Sequence, residues 1–397
     1  MRREYPGVKA NPARPLRITR RSSFGDIFTY IAAKGDRTIG VRAPFTEVDA
    51  LILSRVAYLY LEGLAPTDFR SKVKIKDIGD TYLKLSKTDA ISILQAEDVH
   101  LMQAIKGTRR FGNIAVTGYH SFFSEESVEQ FAAMTLLLPD GTAYISFRGT
   151  DGSLSGWRED FDLAFLGIIP SHKRALKYAR EAMDSLPKVK AFYIGGHSKG
   201  GNLASYAACK LPKRLKRSIK AVYIFDAPGF RHDVFTVLDR DSLLDRTFAY
   251  APCQSIIGMI LYSPAPYTPI LSRSTLFFQH DLYNWCVQGD FLVRSDFQRI
   301  SYGVKRMTKD FFETMDVRHL QGCIDVLFSA IRAEKGSMRN ATMDINLARM
   351  VSLVMLLRRI PPAERRTFIK VFSTVADHVR RLAEIERARL KVEKDAI

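Results

Sequence analysis

Apolar positions change their spacing along this chain, and the changes divide it into three regions. Residues 1–40 show no regular period; they are basic, rich in Arg and Pro at first, and read as a tail with little structure of its own. Order is expected from about Phe45, where Thr46-x-x-Asp49 is a capping-box pattern ahead of Leu51, Ile52, Val56, Leu59 and Tyr60 at helical spacing. A second helix is predicted over 88–94. The pattern then becomes strand-like over 113–123 and 131–138, with Pro139-Asp140-Gly141 as a hairpin turn and 143–147 as the return strand.

Beyond the hairpin, strand-like segments (191–194, 221–225, 247–251 and 274–279) alternate with helical ones (157–165, 173–186, 203–211 and 234–244). That alternation predicts an α/β domain over 41–300, with a mostly parallel sheet covered on both faces and opened by an antiparallel hairpin. After about residue 300 the strand pattern stops. Helices are predicted over 311–333, 344–359 and 362–394, so that 301–397 forms a helical C-terminal region.

Composition alters this picture little. The 397 residues are 46% hydrophobic and 26% charged, as in ordinary globular proteins. Lys and Arg outnumber Asp and Glu by 60 to 42, and the net charge of +18 favours anionic surfaces such as acidic lipid headgroups. No nucleic-acid-binding module accompanies the charge, so nucleic acid is not an expected partner. Cys209, Cys253, Cys286 and Cys323 lie far apart, without a C-x-x-C pair or metal-ligand spacing, which predicts free thiols and no bound metal. No apolar run follows the basic N-terminus, and no stretch reaches the ~18–20 apolar residues of a membrane span, so the expected location is cytoplasmic.

The chemistry concentrates in Ala191-Phe192-Tyr193-Ile194-Gly195-Gly196-His197-Ser198-Lys199-Gly200-Gly201-Asn202-Leu203-Ala204. A strand running into Gly-His-Ser-Lys-Gly and on into a small-residue helix is the context of a nucleophile elbow, with Ser198 as nucleophile. The flanking glycines suit a strained turn that has no room for side chains. A serine nucleophile needs a base, an acid to orient that base, and donors for an oxyanion. In α/β-hydrolases the chain order is Ser, acid, His. His280, directly after the 274–279 strand, is the expected base; His232 is the alternative, and His319 and His378 fall on solvated patterns in the helical region. For the acid, Pro252-Cys253-Gln254-Ser255 offers no carboxylate after the 247–251 strand. Asp226, one strand earlier, is therefore assigned, with Asp233 in reserve and Asp281 too close to His280 in sequence. Thr150, in Phe147-Arg148-Gly149-Thr150, and the amide of Lys199 are the expected oxyanion donors, and Arg148 is expected to pair with Asp160 or Asp162. The Lys199 side chain either faces an anionic substrate or points into water. The apolar segment 255–272, with Ile256, Ile257 and Met259, is either a lid or acyl-binding wall or a buried crossover.

These residues resemble a known family. Phe147-Arg148-Gly149-Thr150 with Trp157 and Asp160, then Gly-His-Ser-Lys-Gly-Gly-Asn-Leu-Ala, is similar to the class 3 (fungal-type) lipases. More closely, the chain resembles a bacterial group of lipase-like α/β-hydrolases of unknown function, the Mbeg-like family. Phe225-Asp226-Ala227-Pro228-Gly229-Phe230, Ser255-Ile256-Ile257-Gly258-Met259 and Gln279-His280-Asp281 carry that likeness, which spans roughly residues 41–335. The resemblance implies a lipase-type fold and a Ser-Asp-His site on Ser198, Asp226 and His280. The acid departs from the class 3 position, and Asp226-Ala227-Pro228 resembles the placement in pancreatic-type lipases. The expected activity is cleavage of carboxylic, lipid-like esters through an acyl-enzyme, with no cofactor. The alternative is a catalytically silent hydrolase-fold protein that binds through its basic surface.

Overall fold

A computed structural model of the protein describes residues 24–86, 96–124, 126–150 and 154–314. In chain order the helices are α1 (Ile27–Lys34), α2 (Glu47–Val56), α3 (Ile75–Leu85), α4 (Ala96–Lys106), α5 (Leu154–Leu166), α6 (Pro170–Ser185), α7 (Lys199–Lys210), α8 (Lys213–Lys216), α9 (His232–Thr236) and α10 (Arg299–Thr314). The strands are β1 (Val73–Lys74), β2 (Ala115–Ser124), β3 (Glu129–Leu137), β4 (Ala143–Phe147), β5 (Phe192–His197), β6 (Ile219–Phe225), β7 (Thr247–Pro252), β8 (Tyr267–Ile270), β9 (Val287–Gln288) and β10 (Phe291–Leu292). β1 to β8 form one sheet in chain order, antiparallel as far as β4 and parallel from β4 to β8. It is a mostly parallel sheet flanked by helices, an α/β-hydrolase type of fold.

Strand order equal to chain order has a consequence for the helices. Right-handed crossovers that always step the same way place their helices on the same face. α6 and α7 accordingly pack with Ile145, Phe147, Ile194, Val222 and Ile224. The alternate residues Tyr144, Tyr193, Tyr223, Phe225 and Tyr250 point to the other face, as the period of two in a strand requires. That face must be covered by chain from outside the crossovers, and α2 covers it. Its capping box is present: Thr46 Oγ1 accepts from the Asp49 amide at 3.2 Å, and Asp49 accepts from the Thr46 amide at 2.8 Å. From Val48 to Val56 every residue of the helix is buried. Ser54 meets the Tyr144 hydroxyl at 2.7 Å and Ser146 donates to the Leu53 carbonyl at 3.0 Å, locking helix to sheet.

Several expectations need correction. Residues 24–40 are not an unstructured tail. Asp26 caps α1 by accepting from the Thr29 amide at 2.8 Å, Ile27, Tyr30 and Ile31 are buried, and Gly25 bridges to Val287. A cap followed by apolar residues at i, i+3 and i+4 outweighs the Arg/Pro composition farther upstream. The 274–279 segment is not a strand but leads into a 3-10 turn, Leu276–His280; the last parallel strand is β8. β8 lies inside 255–272, so that segment contains the crossover from β7 to β8. The helix expected over 234–244 is only the short α9, followed by a 3-10 turn at Leu244–Arg246; Lys216, which is buried, holds Asp239 at 2.5 Å in the loop that joins α9 to that turn. α10 begins before the helix expected at 311. The helices expected over 88–94, 344–359 and 362–394, and most of 311–333, lie outside the described residues. Cys209, Cys253 and Cys286 are buried free thiols. Among the described residues no helix is long and apolar enough to cross a membrane.

Candidate active site

Ser198 stands between β5 and α7 with φ +56° and ψ −133°, a left-handed conformation that few non-glycine residues adopt. Close packing forces the bend. A side chain on Gly196 would place its Cβ 2.6 Å from the Phe147 carbonyl oxygen, and one on Gly200 would collide with that same oxygen. The turn is therefore wedged against the end of β4. The Ser198 amide donates to the Phe225 carbonyl at 3.0 Å, and its own carbonyl accepts from Gly201 at 2.9 Å and Asn202 at 3.3 Å. The amides of Lys199 and Gly200, in the first turn of α7, lie ahead of that ladder at the positive end of the helix.

Asp226 follows β6 directly, with φ +42°, and its side chain is buried. One carboxylate oxygen accepts from Ser255 Oγ at 2.5 Å and from the Gly258 amide at 3.0 Å. The other lies 2.7 Å from His280 Nδ1. A carboxylate holding Nδ1 leaves Nε2 as the free nitrogen of the imidazole, whose side chain is 27% exposed. His280 is positioned by its neighbours. Gln279 is buried and accepts from the Gln254 amide at 2.9 Å, and Trp285 Nε1 donates to the Gln279 carbonyl at 2.8 Å. The ring of His197, next to the serine, lies tilted at 36° with its centroid 4.4 Å from that of His280, and it bonds the His280 carbonyl at 2.8 Å. The structure thus brings the Ser198 turn, Asp226 and His280 to one corner of the sheet.

The other candidates separate. Asp233 is exposed and paired with Arg231, and His232 packs edge-on to Tyr262. Asp281 caps the next turn through the Tyr283 amide at 3.1 Å, and burial raises its pKa. His319 and His378 lie outside the described residues. Thr150 is beside the site, but its hydroxyl donates to Asp160 at 2.7 Å, leaving its amide as the donor to consider. Burial pushes the Asp160 carboxyl up to about 6, against the opposing pull of Lys199 and the Thr150 bond. Asp162 meets Arg158 at 3.2 Å, while Arg148 is buried beside Tyr58 and Tyr119.

Lys199 overturns both expectations for its side chain. It is fully buried, 2.7 Å from the equally buried Glu159, and it also donates to the carbonyl and side-chain oxygens of Gln130 at 2.9 Å each. Glu159 in turn accepts from Ser171 at 2.5 Å and from the Gln130 amide at 3.1 Å. The lysine faces neither substrate nor water; it fastens α5 and β3 beneath the elbow.

Of the expected acyl wall, Met259 is buried against Ala251, Ile300 and Val304, with Ile256 packed on the same cluster, and Ile257 is half-buried. Met259 and Gly258 also line a cavity of about 1070 Å³ closed on one side by α10, and neither Ser198 nor His280 lines it. Among the described residues no group of three His, Cys, Asp or Glu side chains is placed to hold a metal ion. Tyr58, His197, Ser255, Gly258 and Gln279 are the site residues the sequence did not reveal. His197, Ser255, Gly258 and Gln279 fall inside the quoted motifs without a role assigned to them, and Tyr58 carried no local signal.

A family model described as Mbeg1-like matches residues 105–329, more than half of the chain. None of the curated proteins matches it. Among solved structures, one titled "Crystal structure of M37 lipase" aligns at 16% identity over 53% of this chain and 68% of that one, with a TM-score of 0.33. A likeness at that level bears on neither site nor activity.

Proposed function

Since the chain belongs to the Mbeg1-like family and carries a hydrolase-type fold, we propose that it is a serine hydrolase of carboxylic esters. The observation that carries the reading is the 2.7 Å bond from Asp226 to His280 Nδ1, at the corner where Ser198 is held in a left-handed bend. In this reading His280 Nε2 takes the Ser198 proton as the hydroxyl attacks the ester carbonyl. Asp226 keeps the imidazole in the Nδ1–H tautomer and stabilises its charged form. The negative charge on the former carbonyl oxygen is met by the amides of Lys199 and Thr150, backed by the dipole of α7. His280 then gives the proton to the departing alcohol, and water, activated by the same imidazole, releases the acyl group from Ser198. No cofactor takes part in these steps.

Apolar surface beside the base favours an apolar acyl or lipid-like substrate. Phe277 and Phe278, in the turn that ends at His280, are 58% and 73% exposed. With the net charge of +18, such surface also suits peripheral contact with an anionic membrane. A fluorophosphonate should label Ser198, with labelling abolished in Ser198→Ala and strongly reduced in His280→Ala. A panel of p-nitrophenyl esters of increasing chain length should then show turnover. Folded wild-type protein that neither labels nor turns over any ester would leave a hydrolase-fold binding protein instead.

A further inference from the structure

His197 is buried at the end of β5, and its Nε2 lies 2.8 Å from the main-chain oxygen of His280. A carbonyl only accepts, so that nitrogen carries a proton. Burial, with the Arg55 guanidinium nearby, lowers the pKa of His197 well below the usual histidine value and keeps the ring neutral. Nδ1 is then a bare acceptor, and the Tyr58 hydroxyl reaches it at 3.1 Å. Tyr58 is itself fixed. The Arg55 guanidinium covers its ring at 4.5 Å and is held by both oxygens of Asp98, at 2.7 and 2.8 Å. The Tyr58 hydroxyl fills the space where a Cβ on Gly149 would stand. Each group passes its donor onward in one direction: Tyr58 O–H to His197, His197 Nε2–H to the His280 carbonyl, and His280 Nδ1–H to Asp226.

We propose that His197 is a positioning residue for His280: Tyr58 fixes its tautomer, and its Nε2–H holds the main chain of the base so that the imidazole stays over Ser198. The proposal rests on the reading of His280 as base. It also explains a constraint on the motif, since the link needs a side chain that both accepts and donates while buried.

The test compares His197→Phe, which keeps ring bulk without a donor, with His197→Gln, whose amide donates at nearly the same reach. Thermal unfolding confirms that each is folded, and Tyr58→Phe serves as the second variant should His197→Phe not fold. The saturating rate of fluorophosphonate labelling at Ser198 should fall roughly 10- to 100-fold in His197→Phe, the order expected for misplacing a reacting group by about an ångström. The half-saturating concentration should hold, and His197→Gln should recover the rate to within a few-fold. Nitrogen-correlated NMR should show His197 as the Nε2–H tautomer, and the low-field His280 Nδ1–H proton should persist in His197→Gln and vanish in His197→Phe. A His197→Phe variant that labels at the wild-type rate, an Nδ1–H tautomer at His197, or an unchanged low-field proton in His197→Phe overturns the proposal. Wild-type protein that never labels removes the hydrolase reading instead, and the two NMR readouts then decide the positioning role alone.

Discussion

Replacing Lys199 with Met isolates the cost of a charge left alone beneath the elbow. Lys199 and Glu159 are both fully buried, and all three amine protons of Lys199 are spent, on Glu159 and on two oxygens of Gln130. Methionine fills a similar volume but leaves the Glu159 carboxylate with only the Ser171 hydroxyl and the Gln130 amide. Breaking one side of such a pair costs about 3–5 kcal/mol, because the remaining charge stays desolvated. Removing both charges in Lys199→Met/Glu159→Gln restores most of that loss, since a neutral amide still bonds Ser171 and Gln130. Urea unfolding of the wild type, both single variants and the double variant closes the cycle, and a coupling energy of about 2–3 kcal/mol is expected. In a domain of this size the single change should lower the melting temperature by roughly 10 °C. A Lys199→Met protein within about 1 kcal/mol of wild type, or a double variant no more stable than the single, would refute the buried pair.

Asp226→Asn should lower fluorophosphonate labelling of Ser198 by at least ~100-fold while leaving the fold intact, because the amide favours the wrong imidazole tautomer; a loss under about threefold would move the acid elsewhere. Gly200→Ala should abolish soluble expression or cost more than about 3 kcal/mol, as its methyl group collides with the Phe147 carbonyl; ordinary stability by thermal melting would contradict the wedge. Asp160 has its pKa raised from 3.8 to about 6, so the folded protein holds that proton more tightly than the unfolded chain. Its penalty is absent below about pH 4, grows as pH rises, and is complete above about 6. Asp160→Asn should therefore gain stability relative to wild type across that window, by about 1–3 kcal/mol, and parallel stability curves for the two proteins would contradict the shift.

Where sequence and structure agree, the signal is local. The capping box Thr46–Asp49 and the Gly141 turn are short-range patterns that tertiary contacts did not override. The elbow is local as well, a strand, two tight glycines and a helix in continuous chain. What escaped the sequence depends on partners far away. Residue 199 reads as a surface lysine until Glu159 is brought beneath it from 40 positions upstream. Residues 274–279 alternate enough to suggest a strand, but Gln279 turns inward to bond Gln254 and Leu276 adopts φ +52°, so a 3-10 turn results. The bond from Asp226 to His280 shows the same limit. Elimination singled out Asp226 and an expected strand end singled out His280, yet Ser255 and Gly258, which hold the carboxylate in place, come from a segment the sequence left open between lid or acyl wall and crossover.

The helix that covers the tyrosine face of the sheet lies before residue 105, where the family match begins. A fragment trimmed to the matched stretch would keep the elbow, Asp226 and His280. It would also present Tyr144, Tyr193, Tyr223 and Tyr250 to solvent as one continuous adhesive wall. Such a truncation invites self-association in expression trials, and insolubility there would say nothing about whether the catalytic corner works.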